Sequence, residues 1–112
     1  MTQLIISFEL EGRHRWPDAP ARYSDFAHTH RHLFKFICWY EIDKSTGPDR
    51  RDKELFELRR ETIEVLKMEY GRADFPLEFQ DMSCEGIADW LKKEMRFSKV
   101  FCGESDFFGA IV

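Results

Sequence analysis

Apolar and polar residues alternate along the first segment of the chain. Leu4, Ile6, Phe8 and Leu10 fall on one side, and Ser7, Glu9, Glu11 and Arg13 on the other. A period of two with one polar side predicts a half-buried β-strand. The apolar side continues through Gly12 to His14. Trp16-Pro17-Asp18-Ala19-Pro20 then breaks the pattern, because prolines cannot donate to a sheet ladder. The stretch from about Arg15 to Ala27 is expected as a loop, longer than a tight hairpin turn. A second alternating run sets His28, His30, His32, Phe34, Phe36, Cys38, Tyr40 and Ile42 on one side. Leu33, Lys35, Ile37, Trp39 and Glu41 form the other, so both sides are partly covered. Lys44-Ser45-Thr46-Gly47-Pro48-Asp49 ends the run with turn-forming residues.

From about Asp52 to Tyr70 the period becomes helical. Phe56, Ile63, Leu66 and Tyr70 carry the stripe, widened by Leu55, Leu58 and Val65. Gly71 suits a left-handed residue that ends a helix. After a short irregular stretch containing Pro76, Ser83 is placed to cap a second helix, with Glu85 in its first turn. Ile87, Trp90, Leu91 and Met95 form its apolar side. Strand-like Phe97 to Gly103, a turn at Glu104-Ser105-Asp106, and Phe107 to Val112 complete the order ββααββ. The expectation is an α+β fold: an antiparallel four-stranded sheet with two helices packed on one face, in one domain over residues 1–112.

Composition narrows the function classes. A chain of 112 residues builds one modest core, and self-association is a natural way to bury more. Eleven phenylalanines add large apolar area with no polar tip to satisfy. A net charge of −4 argues against a general nucleic-acid binder, which needs a basic surface. Cys38, Cys84 and Cys102 are odd in number and widely spaced, the usage of reduced thiols in a cytosolic compartment. The N-terminus has no signal-peptide pattern, and no apolar run approaches the ~20 residues a bilayer needs. The location expected is therefore cytoplasmic, without a membrane partner.

The four histidines, His14, His28, His30 and His32, share one parity on the two predicted strands. If those strands pair as an antiparallel hairpin, the end of the first lies beside the start of the second. Two histidines at i and i+2 point the same way, and a third from the neighbouring strand completes a three-nitrogen site. Such a site leaves one position open on a catalytic zinc. His-x-His alone also fits surface residues near a strand end. Which two of His28, His30 and His32 would join His14 stays open on parity alone.

Gly12-Arg13-His14-Arg15-Trp16, His30-Arg31-His32-Leu33-Phe34, Ser83-Cys84-Glu85, and Val100 to Glu104 followed by Phe108-Gly109-Ala110 occur in that order. Together they resemble the motifs of the 6-pyruvoyl-tetrahydropterin and 6-carboxytetrahydropterin synthase family, a branch of the tunnelling folds. His28-Thr29-His30 is an alternative register for the second motif. The resemblance implies zinc on His14, His30 and His32, with Ser83, Glu85 and Glu104 contacting a pterin- or purine-like ligand. It also implies homo-oligomers built through sheet edges, with sites at subunit interfaces. Two family features are missing. The Cys four residues before His-x-His is replaced by Phe26 or Ser24, and no Asp-His pair occurs within Asp74 to Asp81. His28 is the histidine left over for proton transfer. Glu104-Ser105-Asp106 reads equally well as a plain turn, and Glu85 as a helix-dipole residue. The resemblance thus implies a zinc-dependent lyase on a dihydroneopterin-triphosphate-like compound. The alternatives are a binding module that keeps the pocket without the relay, or an interaction protein.

Overall fold

The computed structural model describes residues 2–42, 53–73, 76–104 and 108–112. Among these, the chain runs β1 (Thr2–His14), β2 (His30–Ile42), α1 (Leu55–Tyr70), β3 (Leu77–Gln80), α2 (Cys84–Met95), β4 (Lys99–Gly103) and β5 (Gly109–Ile111). Two short 3₁₀ turns over Ala21–Ala27, joined at Tyr23, occupy the loop between β1 and β2. The expected turn from Lys44 to Asp49, the helix start near Asp52, Asp74 and Phe75, and Ser105, Asp106 and Phe107 lie outside the described residues.

The fold is a mixed α+β arrangement, and its sheet corrects the sequence expectation. Five strands are present in the order β3-β1-β2-β4-β5, and β3 runs parallel to β1 while the other neighbours are antiparallel. The four-stranded antiparallel sheet in ββααββ order therefore gives way to a strand inserted between the helices. Its physical reason is length. Leu77 and Phe79 are only 0% and 1% exposed, but four residues after a proline are too few for an alternation to declare itself.

β1 and β2 pair along their full length, from Thr2 opposite Ile42 to His14 opposite His30. Their even-numbered side, with Ile6, Phe8, Phe34, Phe36 and Cys38, forms the core together with Val100 and Cys102 of β4. Helix α2 adds Ile87, Ala88 and Leu91, and Ser83 Oγ accepts the Gly86 N–H at 3.2 Å as its N-cap. Helix α1 buries Leu58, Thr62 and Leu66, a narrower stripe than expected. Phe56 is 79% exposed, since two residues before Leu58 is about 200° around a helix. The Thr62 hydroxyl donates to the Leu58 carbonyl at 2.7 Å, which satisfies the one polar group on that stripe.

Gly71 ends α1 in extended, not left-handed, backbone (φ −68°). Glycine fits there because a Cβ would lie 2.4 Å from the Lys67 carbonyl oxygen. Among the described residues no helix is long and apolar enough to cross a membrane.

Candidate metal centre

The antiparallel register brings the end of β1 against the start of β2, and the imidazoles of His14, His30 and His32 meet there. Ring centroids are 4.7 Å apart for His14 and His30, 4.8 Å for His30 and His32, and 5.5 Å for His14 and His32. Glu104, the first residue after β4, joins them. One nitrogen from each ring and a carboxylate oxygen all lie within 4.8 Å of one another. Three imidazoles and a carboxylate are a donor set that can hold a metal ion, and one suited to zinc among others. The spread is looser than the edge of about 3.3 Å that zinc bonds of about 2.0–2.1 Å would give a tetrahedron.

Two backbone carbonyls fix the rings. His14 Nδ1–H donates to the Met82 carbonyl and His30 Nδ1–H to the His28 carbonyl, both at 2.9 Å. Each bond sets the tautomer and leaves Nε2 available, the outer-shell arrangement common around ligating histidines. The Met82 carbonyl is aimed by a strained link. Gln80 adopts a left-handed conformation (φ 57°) after the register of β1 against β3 shifts between Arg13 and His14. Flanking bonds hold this link in place: Arg15 N–H to the Gln80 carbonyl at 2.8 Å, and ion pairs of Arg13 with Glu78 and Arg15 with Asp81.

Whether a metal suits these residues is decided at His32. Its Nε2 is buried and makes no hydrogen bond among the described residues, although Glu104 Oε1 lies 3.4 Å away. A buried nitrogen without a partner is costly and calls for one. Burial lowers the His32 pKa, with His30 and His14 adding to the shift and Glu104 opposing it, so the ring favours the neutral form that metals bind. The residues fit the ion.

A cavity of about 470 Å³ opens beside the cluster. Its apolar wall includes Trp16, Phe26 and Phe108, and its polar wall includes Ser83, Glu85 and Glu104. Phe26 packs on His30 at 5.5 Å between centroids, and the loop aromatics Trp16 and Tyr23 stack behind it. Concave, largely apolar walls with a few converging polar groups characterise small-molecule sites.

The structure therefore brings together His14, His30, His32 and Glu104, and sets Ser83 and Glu85 along the same cavity. His28 is exposed just before β2 and gives the site its main-chain carbonyl, while its ring is not among the converging donors. Sequence reasoning missed Cys84. It opens α2, lines the cavity, and is held by a hydrogen bond with Cys102 that lowers its pKa against the effect of burial. A thiol at a helix N-terminus is the signal that was present, since that position favours the thiolate.

No protein-family model matches the chain, and neither does any curated protein searched. Among solved structures, 6-pyruvoyl tetrahydropterin synthase of Caenorhabditis elegans aligns with a TM-score of 0.70 at 11% sequence identity. The alignment covers 99% of this chain and 94% of that one. The chain has a 6-pyruvoyl tetrahydropterin synthase-like fold.

Proposed function

We propose that the chain binds a pterin- or purine-like heterocycle beside a zinc ion held by His14, His30 and His32. One observation carries this reading: three imidazoles converge beside a cavity that His14 and His30 line, and the buried His32 Nε2 has no hydrogen-bond partner among the described residues. When bound, zinc would supply a Lewis acid able to polarise an oxygen of the ligand. The chain's own groups do the rest. Trp16, Phe26 and Phe108 offer apolar surface to a flat ring, and the carboxylates of Glu85 and Glu104 accept N–H donors from its edge. Ser83 contributes the positive end of α2 to the same wall.

Protein purified without chelator is expected to carry roughly one zinc per chain. His14→Ala or His32→Ala should remove it, and neopterin should bind the wild type with micromolar affinity, read by ligand fluorescence. A wild type that neither retains nor takes up zinc would sink the metal reading.

A lyase acting on a dihydroneopterin-triphosphate-like compound is the second reading, favoured by Cys84. Cys84 lines the cavity and its hydrogen bond with Cys102 lowers its pKa, so it could accept a proton from a bound side chain. Turnover that vanishes in Cys84→Ser while neopterin binding persists would support it. Self-association belongs to the same proposal. Ile5, Leu33 and Ile111 are more than half exposed, apolar area that a second copy could cover. Sedimentation of the purified protein tests this.

A further inference from the structure

We propose that Glu104 is an exchangeable fourth ligand: in the ligand-free protein its carboxylate closes the metal's coordination sphere, and an incoming heterocycle draws it away and opens that position. This rests on the metal-binding reading above and gives Glu104 two alternating partners.

The first argument is the placement of one oxygen. Glu104 Oε1 lies 2.9 Å from His14 Nε2 and 3.4 Å from His32 Nε2. His14 has already committed its Nδ1 proton to the Met82 carbonyl. A neutral His14 ring therefore turns a lone pair toward a carboxylate oxygen, and two acceptors at that distance need a cation between them. A proton on His14 would satisfy that one contact and leave His32 Nε2 orphaned. A metal ion satisfies the whole set, and with Glu104 included the sphere has four ligands and no open position.

The second argument is an asymmetry in how the four ligands are held. The histidines sit on paired strands, and two of their rings are pinned by backbone carbonyls. Glu104 stands just past the end of β4, its N–H donating to the Phe108 carbonyl at 2.9 Å. Its side chain is about a third exposed, and among the described residues its only hydrogen-bond partner is His14. It also lines the cavity, so it can turn from the rings to a ligand without disturbing a strand. A heterocycle with adjacent N–H donors offers that carboxylate two parallel hydrogen bonds, the geometry in which carboxylates bind most strongly. Since one carboxylate serves two partners, heterocycle and metal affect each other's affinity reciprocally.

Cobalt(II) reports the coordination number directly, because four-coordinate cobalt absorbs visible light far more strongly than five- or six-coordinate cobalt. Wild type, Glu104→Gln and Glu104→Ala are loaded with cobalt(II), checked for folding by circular dichroism, and titrated with neopterin and then guanosine. The wild type should show the intense four-coordinate spectrum. Both variants should bind cobalt at least about 10–100-fold more weakly, with visible bands shifted from those of the wild type as water takes the place of the carboxylate, since even outer-shell partners are worth that much. Saturating heterocycle should move the wild-type spectrum away from its ligand-free form and leave Glu104→Ala nearly unchanged. Wild-type affinity and spectrum in both variants would overturn the ligand role. A wild-type spectrum that neither compound alters would overturn the exchange. A wild type that takes up no cobalt removes the metal reading itself and this inference with it.

Discussion

The middle and the outer end of the β1–β2 ribbon share one face, one alternation and one pairing, and do opposite things. In the middle, Phe8 and Phe36 stack at 5.1 Å between centroids, and Phe34 and Phe36 are completely buried in the core. At the outer end the same side carries His14, His30 and His32, and the helices no longer cover it fully. His32 and Phe34 are two residues apart on one strand, with rings 5.7 Å apart. The helices, not the strands, decide where core ends and chemistry begins. A polar ring is tolerated only past the point where a cavity replaces a helix.

That contrast can be broken most sharply at its boundary. Phe34→Ala should cost about 3–5 kcal/mol of stability, as for other buried aromatics. His32→Ala should change the metal-free protein by less than about 1 kcal/mol, because it also removes a buried unpaired nitrogen. Urea unfolding of both variants measures the difference, and similar costs would mean that the histidine end is core as well. Gly12→Ala comes next, at about 1–3 kcal/mol, by overpacking. A Cβ there would stand 2.9 Å from Phe79 Cε2 and 3.0 Å from Phe34 Cδ2, the two rings that close the core just below the histidines.

Acid should act on the outer end alone. The folded-state pKa of His32 lies below its ordinary value of 6.5. The unfolded chain therefore takes up its proton first as pH falls. The stability of the neutral ring is complete above 6.5 and is lost progressively from there down to the lower folded value. In metal-free protein, His32→Gln should flatten the melting temperature against pH across that window; an unaltered profile would refute the assignment. The smallest effect is chemical. Burial pushes the Cys38 thiol up to about 12, whereas Cys84 is held below its usual value by Cys102. Iodoacetamide followed by mass spectrometry of peptides should find Cys84 modified ahead of the buried Cys38 and Cys102.

Much of this was legible from the order of residues, and for a definite reason. Thirteen-residue strands repeat their period enough times to fix the face, which placed His14 near the His28–His32 group, while the pairing of His14 with His30 emerged only in the folded register. The cap at Ser83 was legible because it is local. What stayed hidden depends on contacts across long separations. β3 is too short to show a period, and the left-handed turn at Gln80 has no glycine to announce it. Glu104 is marked by resemblance as a ligand contact and reads equally as a plain turn residue, and nothing nearby in sequence reveals that its carboxylate meets His14, ninety positions earlier. Cys84 reached the cavity through the placement of a whole helix.

β3 is a short edge of the sheet, four residues long and paired on one side only. The same segment leads into the Met82 carbonyl that orients His14. Each transient detachment of that edge should therefore let an imidazole swing free, so occupancy of the centre and fraying of the edge are one equilibrium. Stripping the ion with a chelator should speed deuterium uptake at the amides of residues 77–80 more than at those of β2, although β3 supplies none of the converging donors.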